Sequence, residues 1–373
     1  MSSRLATSEG TRRFRTRAEE DNISRDHFKE FQSLSISSLG IGTYLGEPDT
    51  GTDFKVTRAV ELSIASRAIN VIDSAINYRF QRAERSIGRA LKNLFEDNIV
   101  RRDELVICTK NGYLSHDGEL DIDFWEYIHR FLIKPGVISP DDISSQMHCM
   151  TLKFLEDQFE RSLSNLGLNS IDVLYLHNPA ESQIPDIGRI AFLERLRDVF
   201  ELYESFRQDG KILYYGLATW DCFRVLPSHP LYLSIDDVFN IAGKVGGENH
   251  GFRFIQLPFN LLMNEAYFMK NQSLENELHS PLEVCKRLGI GVFTSVPLMQ
   301  GQVLLQKPPD ITGLDSSALI NLQLIRSTPG ILAPVVGQKD PDHVKENLRL
   351  AGYPLLDEEG VAKAGWTKGP AYS

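Results

Sequence analysis

The chain holds only four cysteines in 373 residues, Cys108, Cys149, Cys222 and Cys285, and no two form a CxxC pair. That spacing excludes a disulfide framework and a thiolate zinc site, and Cys108, inside the apolar run LVICT, reads as a buried thiol. The sequence likewise has no cluster of metal ligands, so no metal is expected. Long hydrophobic runs are missing: none reaches the ~18 residues that a membrane span needs. Positive charge is in deficit. Forty Lys and Arg against fifty Asp and Glu give a net charge of −10, a surface that repels a phosphate backbone and argues against nucleic acid as a partner. The N-terminus, MSSRLATSEGTRRFRTRAEED, lacks the apolar core of a secretory signal. Its arginines are interspersed with Glu9, Glu19, Glu20 and Asp21, which argues against an organelle transit peptide. Residues 1–30 are expected to be a flexible arm in a reducing, cytoplasmic setting.

What remains is an ordinary globular composition, 42% hydrophobic and 24% charged. Residues 31–38 (FQSLSISS) predict a small hairpin. Eight short apolar, β-branched runs then recur: LGIGT (39–43), INVIDSA (69–75), LVICTK (105–110), IDVLYLH (171–177), ILYYGLA (212–218), FIQLPF (254–259), IGVFTS (290–295) and ILAPVVG (331–337). Amphipathic segments such as FKVTRAVELSIAS (54–66), AERSIGRALKNLF (83–95) and LKFLEDQFERSLSNLG (152–167) separate them. Strands alternating with helices indicate a parallel sheet buried on both faces. Eight units without a long linker indicate closure. The expected fold is therefore α/β, a (β/α)8 TIM barrel over residues 31–373 with an N-terminal extension. Two connections, 111–150 after strand three and 221–252 after strand five, exceed ordinary loop lengths and are candidates for shaping a pocket. The first carries Trp125, Tyr127, His129 and Phe131, either as an aromatic lid or as anchors against the barrel.

Barrel enzymes keep their chemistry at the C-terminal ends of the strands. Asp73 ends strand two, Lys110 ends strand three and His177 ends strand four, with Tyr78 in the loop after strand two. Lysine and aspartate are seldom buried unpaired, so Asp73 and Lys110 are expected to satisfy each other. A lysine beside Tyr78 is expected to lower its pKa from ~10 toward ambient pH, as a general acid/base requires. His177 is placed to hydrogen-bond a substrate oxygen or relay a proton. Read singly, these residues have ordinary structural explanations: a strand cap, a packing tyrosine. Three successive strand ends carrying them point to one shared mouth.

The same segments resemble the aldo-keto reductase superfamily from about residue 34 to residue 350. LGIGT (39–43), IDSAINY with AERSIGRAL (72–91), VICTKNG (106–112), LEDQFERSLSNLGLNSIDVLYLHNP (155–179), DGKILYYGLATW (209–220), FIQLPFNLL (254–262), VPLMQGQVL (296–304) and VVGQKDPDHVKENL (335–348) match its motifs in order. The resemblance implies a carbonyl/alcohol oxidoreductase that binds extended NAD(P)(H), with a catalytic tetrad of Asp73, Tyr78, Lys110 and His177. It implies that Gln256 holds the nicotinamide carboxamide, that Leu298 and Gly301 lie along the pyrophosphate, and that Glu346 and Asn347 lie near the adenine. Gly42, Thr43, Tyr44, Asp73, Thr219, Ser295, Val296, Gly337, Gln338, Lys339 and His343 complete the expected cofactor contacts. Tyr44, Tyr78, Trp125, His177 and Trp220 make up the expected substrate pocket, for a small-molecule carbonyl or alcohol. A glycine-containing loop leading into a helix near Pro341 suits phosphate.

Several positions depart from the pattern. Ala218 and Thr219 stand where Ser-Asn is common, and Ser295 where an aromatic often stacks on the nicotinamide. Gly337 and His343 replace the cations that hold a 2′-phosphate, with Lys339 in support and Asp340 and Asp342 opposed. The family's habit favours NADP(H), and NAD(H) stays open. Two other readings compete with an enzyme of this kind. One is a nucleotide-binding regulatory protein like the channel beta subunits on the same fold. The other is an aldolase using Lys110 as a Schiff-base nucleophile.

Overall fold

All eight apolar runs become strands of one closed parallel barrel in a computed structural model, which describes residues 5–309, 311, 313–364 and 366. They are β1 (Gly40–Gly42), β2 (Val71–Asp73), β3 (Val106–Asn111), β4 (Ile171–His177), β5 (Ile212–Ala218), β6 (Phe252–Pro258), β7 (Gly291–Ser295) and β8 (Ile331–Gly337). Each pairs with its neighbours in sequence, and β8 closes on β1 through Val335↔Gly40 and Gly337↔Gly42. Side chains alternate along a strand, so every second residue points inward. Val71, Val106, Cys108, Val173, Tyr175, Phe254, Phe293, Ala333 and Val335 form that buried interior, with Phe254 and Phe293 stacked at 5.6 Å. The other face of each strand packs against the surrounding helices in a larger core. Among the described residues no helix is long and apolar enough to cross a membrane, and all four cysteines are buried free thiols.

The N-terminal end of the barrel is plugged. The strands Phe28–Phe31 and Leu34–Ser37 form an antiparallel hairpin, beginning three residues before the expected segment. Its Leu34 and Ile36 join the barrel interior, and the Phe31 ring meets Phe254 at 5.2 Å. Residues 8–20, expected to belong to a flexible arm, form instead the docked helix Ser8–Glu20, capped by Thr7. Phe14 and Ala18, one turn apart on one face, are both buried in the core. The flanking arginines meet the turn before β3: Arg13 contacts Asp103 and Glu104 at 2.7 Å each, and Arg17 contacts Glu104 at 2.7 Å. Glu104 is fully buried, so its charge needs those partners. Further along, the Ala6 amide donates to Asp172 in the barrel floor at 2.6 Å.

The two long connections resolve differently. Within 221–252, residues Ile235–Gly246 are a helix with Ile235, Val238 and Ala242 buried, the ordinary outer helix after β5. The 111–150 insertion is an irregular excursion with a short helix, Phe124–Ile128. Tyr127 is 2% exposed, and Ile128, Leu132 and Ile138 are buried beside it. The Tyr127 hydroxyl accepts from Gln81 and Arg161 at 3.2 Å. The insertion is thus anchored on the barrel's flank, while Trp125 at its apex is 52% exposed.

Because Phe14 inserts between the N-terminal helix and the hairpin, its ring 6.1 Å from that of Phe28, Phe14→Ala should cost about 3–5 kcal/mol, as for a buried aromatic. Denaturant unfolding of the two proteins checks this, and equal midpoints would show that the helix adds nothing to the fold.

Candidate active site

The interior rows of the barrel change character at its C-terminal mouth. Val71 is followed two residues on by Asp73, Val106 and Cys108 by Lys110, Val173 and Tyr175 by His177, Phe254 by Gln256, and Phe293 by Ser295. Strand periodicity alone therefore places these five polar residues in one ring above an apolar floor. Lys110 Nζ donates to Asp73 Oδ2 at 2.6 Å and to the Ser74 carbonyl at 2.8 Å. The other Asp73 oxygen accepts from Gln256 Nε2 at 2.8 Å. Lys110 and Asp73 are both buried. Tyr78 stands on the turn after β2, and its ring centre lies 4.8 Å from Lys110 Nζ. His177 approaches the same ring edge-on at 5.8 Å, and Tyr44 does so at 4.9 Å. All four residues of the expected tetrad converge.

Their charge states follow from burial set against neighbours. Burial opposes the Lys110 ammonium, but Asp73 and the Tyr78 hydroxyl outweigh it, and the lysine pKa is raised. Burial also dominates at Tyr78; Lys110 pulls its pKa down, Asp73 pushes it up, and the balance is upward. This reverses the expected lowering, because desolvation of the phenol and the carboxylate behind the lysine together outweigh the nearby cation. His177 is driven well below its ordinary range by burial, then by Lys110 and His148. Near neutral pH the mouth therefore holds a charged lysine, a protonated tyrosine and a neutral histidine. It can give a proton to an oxygen and hold that oxygen with a second hydrogen bond.

The other expected residues fall into groups. Gly42 sits beside Asp73 in register. Thr43 Oγ1 lies 3.2 Å from the Asp73 carbonyl and 3.0 Å from Ser74 Oγ, bracing the Tyr78 turn. Tyr44 is 56% exposed at the rim. The Thr219 amide donates to the Gln256 carbonyl at 2.8 Å. Beside it, the Trp220 amide donates to Glu181 Oε1 at 3.0 Å. After Ser295 the backbone turns sharply: Val296, Met299, Gln300 and Gly301 have φ of 46°, 46°, 53° and 90°. A β-branched residue in that region is strained, a feature that clusters at ligand sites. Gly301, next to Leu298, faces open space where a side chain would begin. Gly337, the last residue of β8, is exposed, whereas Gln338 and Asn347 beyond it are buried and joined at 2.8 Å. Lys339 reaches toward Gly46; His343 is exposed and Glu346 half-buried.

Two expectations meet resistance. The N-terminus of the helix Pro341–Leu348 is occupied by Asp340, whose carboxylate accepts from the Asp342 amide at 2.9 Å. Those backbone donors hold its pKa below the usual range, so the place expected to suit phosphate already carries a negative charge. Trp125 packs on Phe124 at 5.2 Å, at the insertion's exposed apex, and does not join the rings around Tyr78. Conversely, Tyr113 was missed: its ring meets His177 edge-on at 5.1 Å. Its position three residues after Lys110 was the only available signal.

The model of the "Aldo/keto reductase family" matches residues 38–312. A Schizosaccharomyces pombe protein provisionally named as a voltage-gated potassium channel subunit beta is 24% identical over 345 residues, covering 86% of each chain. The NADH-specific methylglyoxal reductase of Escherichia coli is 24% identical over 273 residues, covering 72% of this chain and 65% of its own. The structure of an aldo/keto reductase from Klebsiella pneumoniae with NADP and acetate superposes with a TM-score of 0.58 at 18% identity, covering 91% of this chain and 94% of that one.

With burial and Asp73 outweighing Lys110, Tyr78 should keep its proton past the ordinary value of 10.0. A pH titration of tyrosinate absorbance, as the difference between wild type and Tyr78→Phe, should show Tyr78 ionising only above that value. Ionisation below it would mean that the lysine prevails over burial.

Proposed function

The chain belongs to the aldo/keto reductase family, and on that premise we propose that it is an NAD(P)(H)-dependent oxidoreductase interconverting an aldehyde or ketone with its alcohol. The observation that carries this reading is the convergence of Asp73, Lys110, Tyr78 and His177 at one end of the barrel. When bound, the nicotinamide supplies or accepts the hydride at the carbonyl carbon. Tyr78, protonated and half-buried, gives its proton to the carbonyl oxygen in reduction and recovers it in oxidation. Lys110 stays charged beside the phenol and stabilises the phenolate that reduction leaves behind. Asp73 and the Ser74 carbonyl fix the ammonium in place, so little reorganisation accompanies the proton transfer. Neutral His177 holds the carbonyl oxygen by a hydrogen bond and thereby orients it.

The residues present fit an extended dinucleotide. Gln256, at the mouth, keeps a side-chain carbonyl for a carboxamide once its nitrogen is given to Asp73. Thr219, Ser295, Val296, Leu298 and Gly301 would follow one rim toward a pyrophosphate, and Gly337, Gln338, Lys339, His343, Glu346 and Asn347 the adenosine end. NADP(H) comes first as the cofactor, in line with the NADP-bound Klebsiella neighbour, and NAD(H) second, in line with the NADH-specific relative. Tyr44, Tyr78, His177 and Trp220 would border the substrate.

The similarity to the fission-yeast protein named as a channel subunit favours a second reading, a nucleotide-binding regulatory protein. Fluorescence titration with NADPH and NADH, followed by cofactor absorbance with a panel of aldehydes and ketones, separates the two. Binding with turnover supports the oxidoreductase; binding with no turnover on any carbonyl supports the regulator. For the oxidoreductase, Tyr78→Phe should cut turnover by roughly 10²–10⁴ and leave nucleotide affinity intact, as expected for the loss of a general acid. Undiminished turnover would remove Tyr78 from the mechanism.

A further inference from the structure

His177 is the last residue of β4, and the sheet stops supporting it on one side. Pairing with β3 ends at Asn111↔Leu176, so His177 keeps only its partner on β5, Ala218. The next residue, Asn178, has a left-handed φ of 44°, and Pro179 begins a helix. At that junction the returning end of the 111–150 insertion takes the place of β3. Its Cys149 amide donates to the Gly112 carbonyl at 2.9 Å, and Tyr113 bridges His148. His148, fully buried, sets Nε2 at 2.9 Å from the His177 carbonyl.

The hydrogen-bond pattern fixes which nitrogen carries the proton. Gln183 Oε1 accepts from Arg195 at 3.3 Å, so the Gln183 amide nitrogen faces His148 as a donor. It donates to His148 Nδ1 at 3.1 Å and to the His148 carbonyl at 3.2 Å. Nδ1 is therefore the acceptor, and the Nε2–H donates to His177. Gly112 makes room for this contact: with φ +121°, a side chain there would begin 2.3 Å from His148 Nε2. Tyr113 ties the two histidines together, edge-on to His148 and to His177 at 5.1 Å each. Its hydroxyl is held by Ser182 at 3.0 Å and Asn178 at 3.4 Å. His177 Nδ1 is buried with no hydrogen-bond partner among the described residues, so backbone and packing hold the ring.

We propose that His148, aligned by Gln183, is a positioning residue for His177, and that the 111–150 insertion acts on the reaction through this contact. The proposal rests on the role given to His177 above. Fixing the carbonyl where β4 leaves the sheet fixes the direction in which the imidazole enters the mouth. A catalytic group displaced by about 1 Å can lose ~10²-fold in rate.

The test is steady-state carbonyl reduction by the full-length protein with its nicotinamide cofactor, in a double-mutant cycle. His148→Leu should lower kcat by roughly 10- to 100-fold with nucleotide affinity unchanged. His148→Gln, which keeps an N–H near the Nε2 position, should recover most of the loss. If His148 works through His177, adding His148→Leu to His177→Asn should cost nothing further. An unaffected kcat in His148→Leu, or losses that multiply in the double variant, would overturn the proposal and leave His148 a packing residue. Should His148→Leu not fold, Gln183→Leu is expected to give the same non-additive loss, and a multiplicative loss there overturns the proposal equally. Full activity of His177→Asn alone would instead sink the role of His177 itself, and this inference with it.

Discussion

A charged lysine at the mouth of an apolar barrel is the constraint that organises the site. Removing the Lys110 ammonium and the Asp73 carboxylate from water costs several kcal/mol per ion, and attraction between them offsets this only when their remaining hydrogen-bonding capacity is met. The barrel supplies that capacity from three strands. Asp73 comes from β2, Lys110 from β3, and Gln256 reaches across from β6 to the second carboxylate oxygen. The Ser74 carbonyl takes a second ammonium hydrogen, and Thr43, just after β1, braces the same turn. The turn that satisfies the lysine is the one that carries Tyr78. The position of the phenol is thus a consequence of neutralising a buried charge.

The rest of the molecule divides labour along the barrel axis. At the N-terminal end the hairpin, the docked helix and the Asp172–Arg102 pair close the floor. At the C-terminal end the same strands finish in polar residues and irregular loops. Stability can therefore be concentrated where it does not compete with chemistry. The acidic cap at Asp340 and the strained Val296 both lie on the C-terminal side, where local rules yield to what the loops must form.

Much of this was legible in the sequence, and the failures have identifiable causes. The eight strands were readable because branched apolar runs separated by amphipathic helices have few other solutions. The convergence of Asp73, Tyr78, Lys110 and His177 was readable because Asp73, Lys110 and His177 interrupt or end apolar runs where a charge must be explained. The helix Ser8–Glu20 was not: its buried face is Gly10, Thr11, Phe14 and Ala18, of which only Phe14 and Ala18 are hydrophobic, and its arginines find Asp103 and Glu104 some ninety residues away. The helix Ile235–Gly246 was obscured by Asp236 and Asp237 at its start and by glycines at its end. The direction of the Tyr78 shift depended on burial, which no local pattern reports.

Those failures share a feature that bears on the 111–150 insertion. Its aromatics left open a lid or anchors against the barrel, because composition shows which residues are present but not where the insertion's two ends meet. In the fold, the ends matter more than the apex. Trp125 lies out on the flank, whereas Tyr113 and His148, distant in sequence, close on each other beneath His177. An insertion tethered at its base beside a strand end, with its middle packed on outer helices, is built to stiffen the mouth. The flank packing through Tyr127, Ile128 and Leu132 gives the base its rigidity.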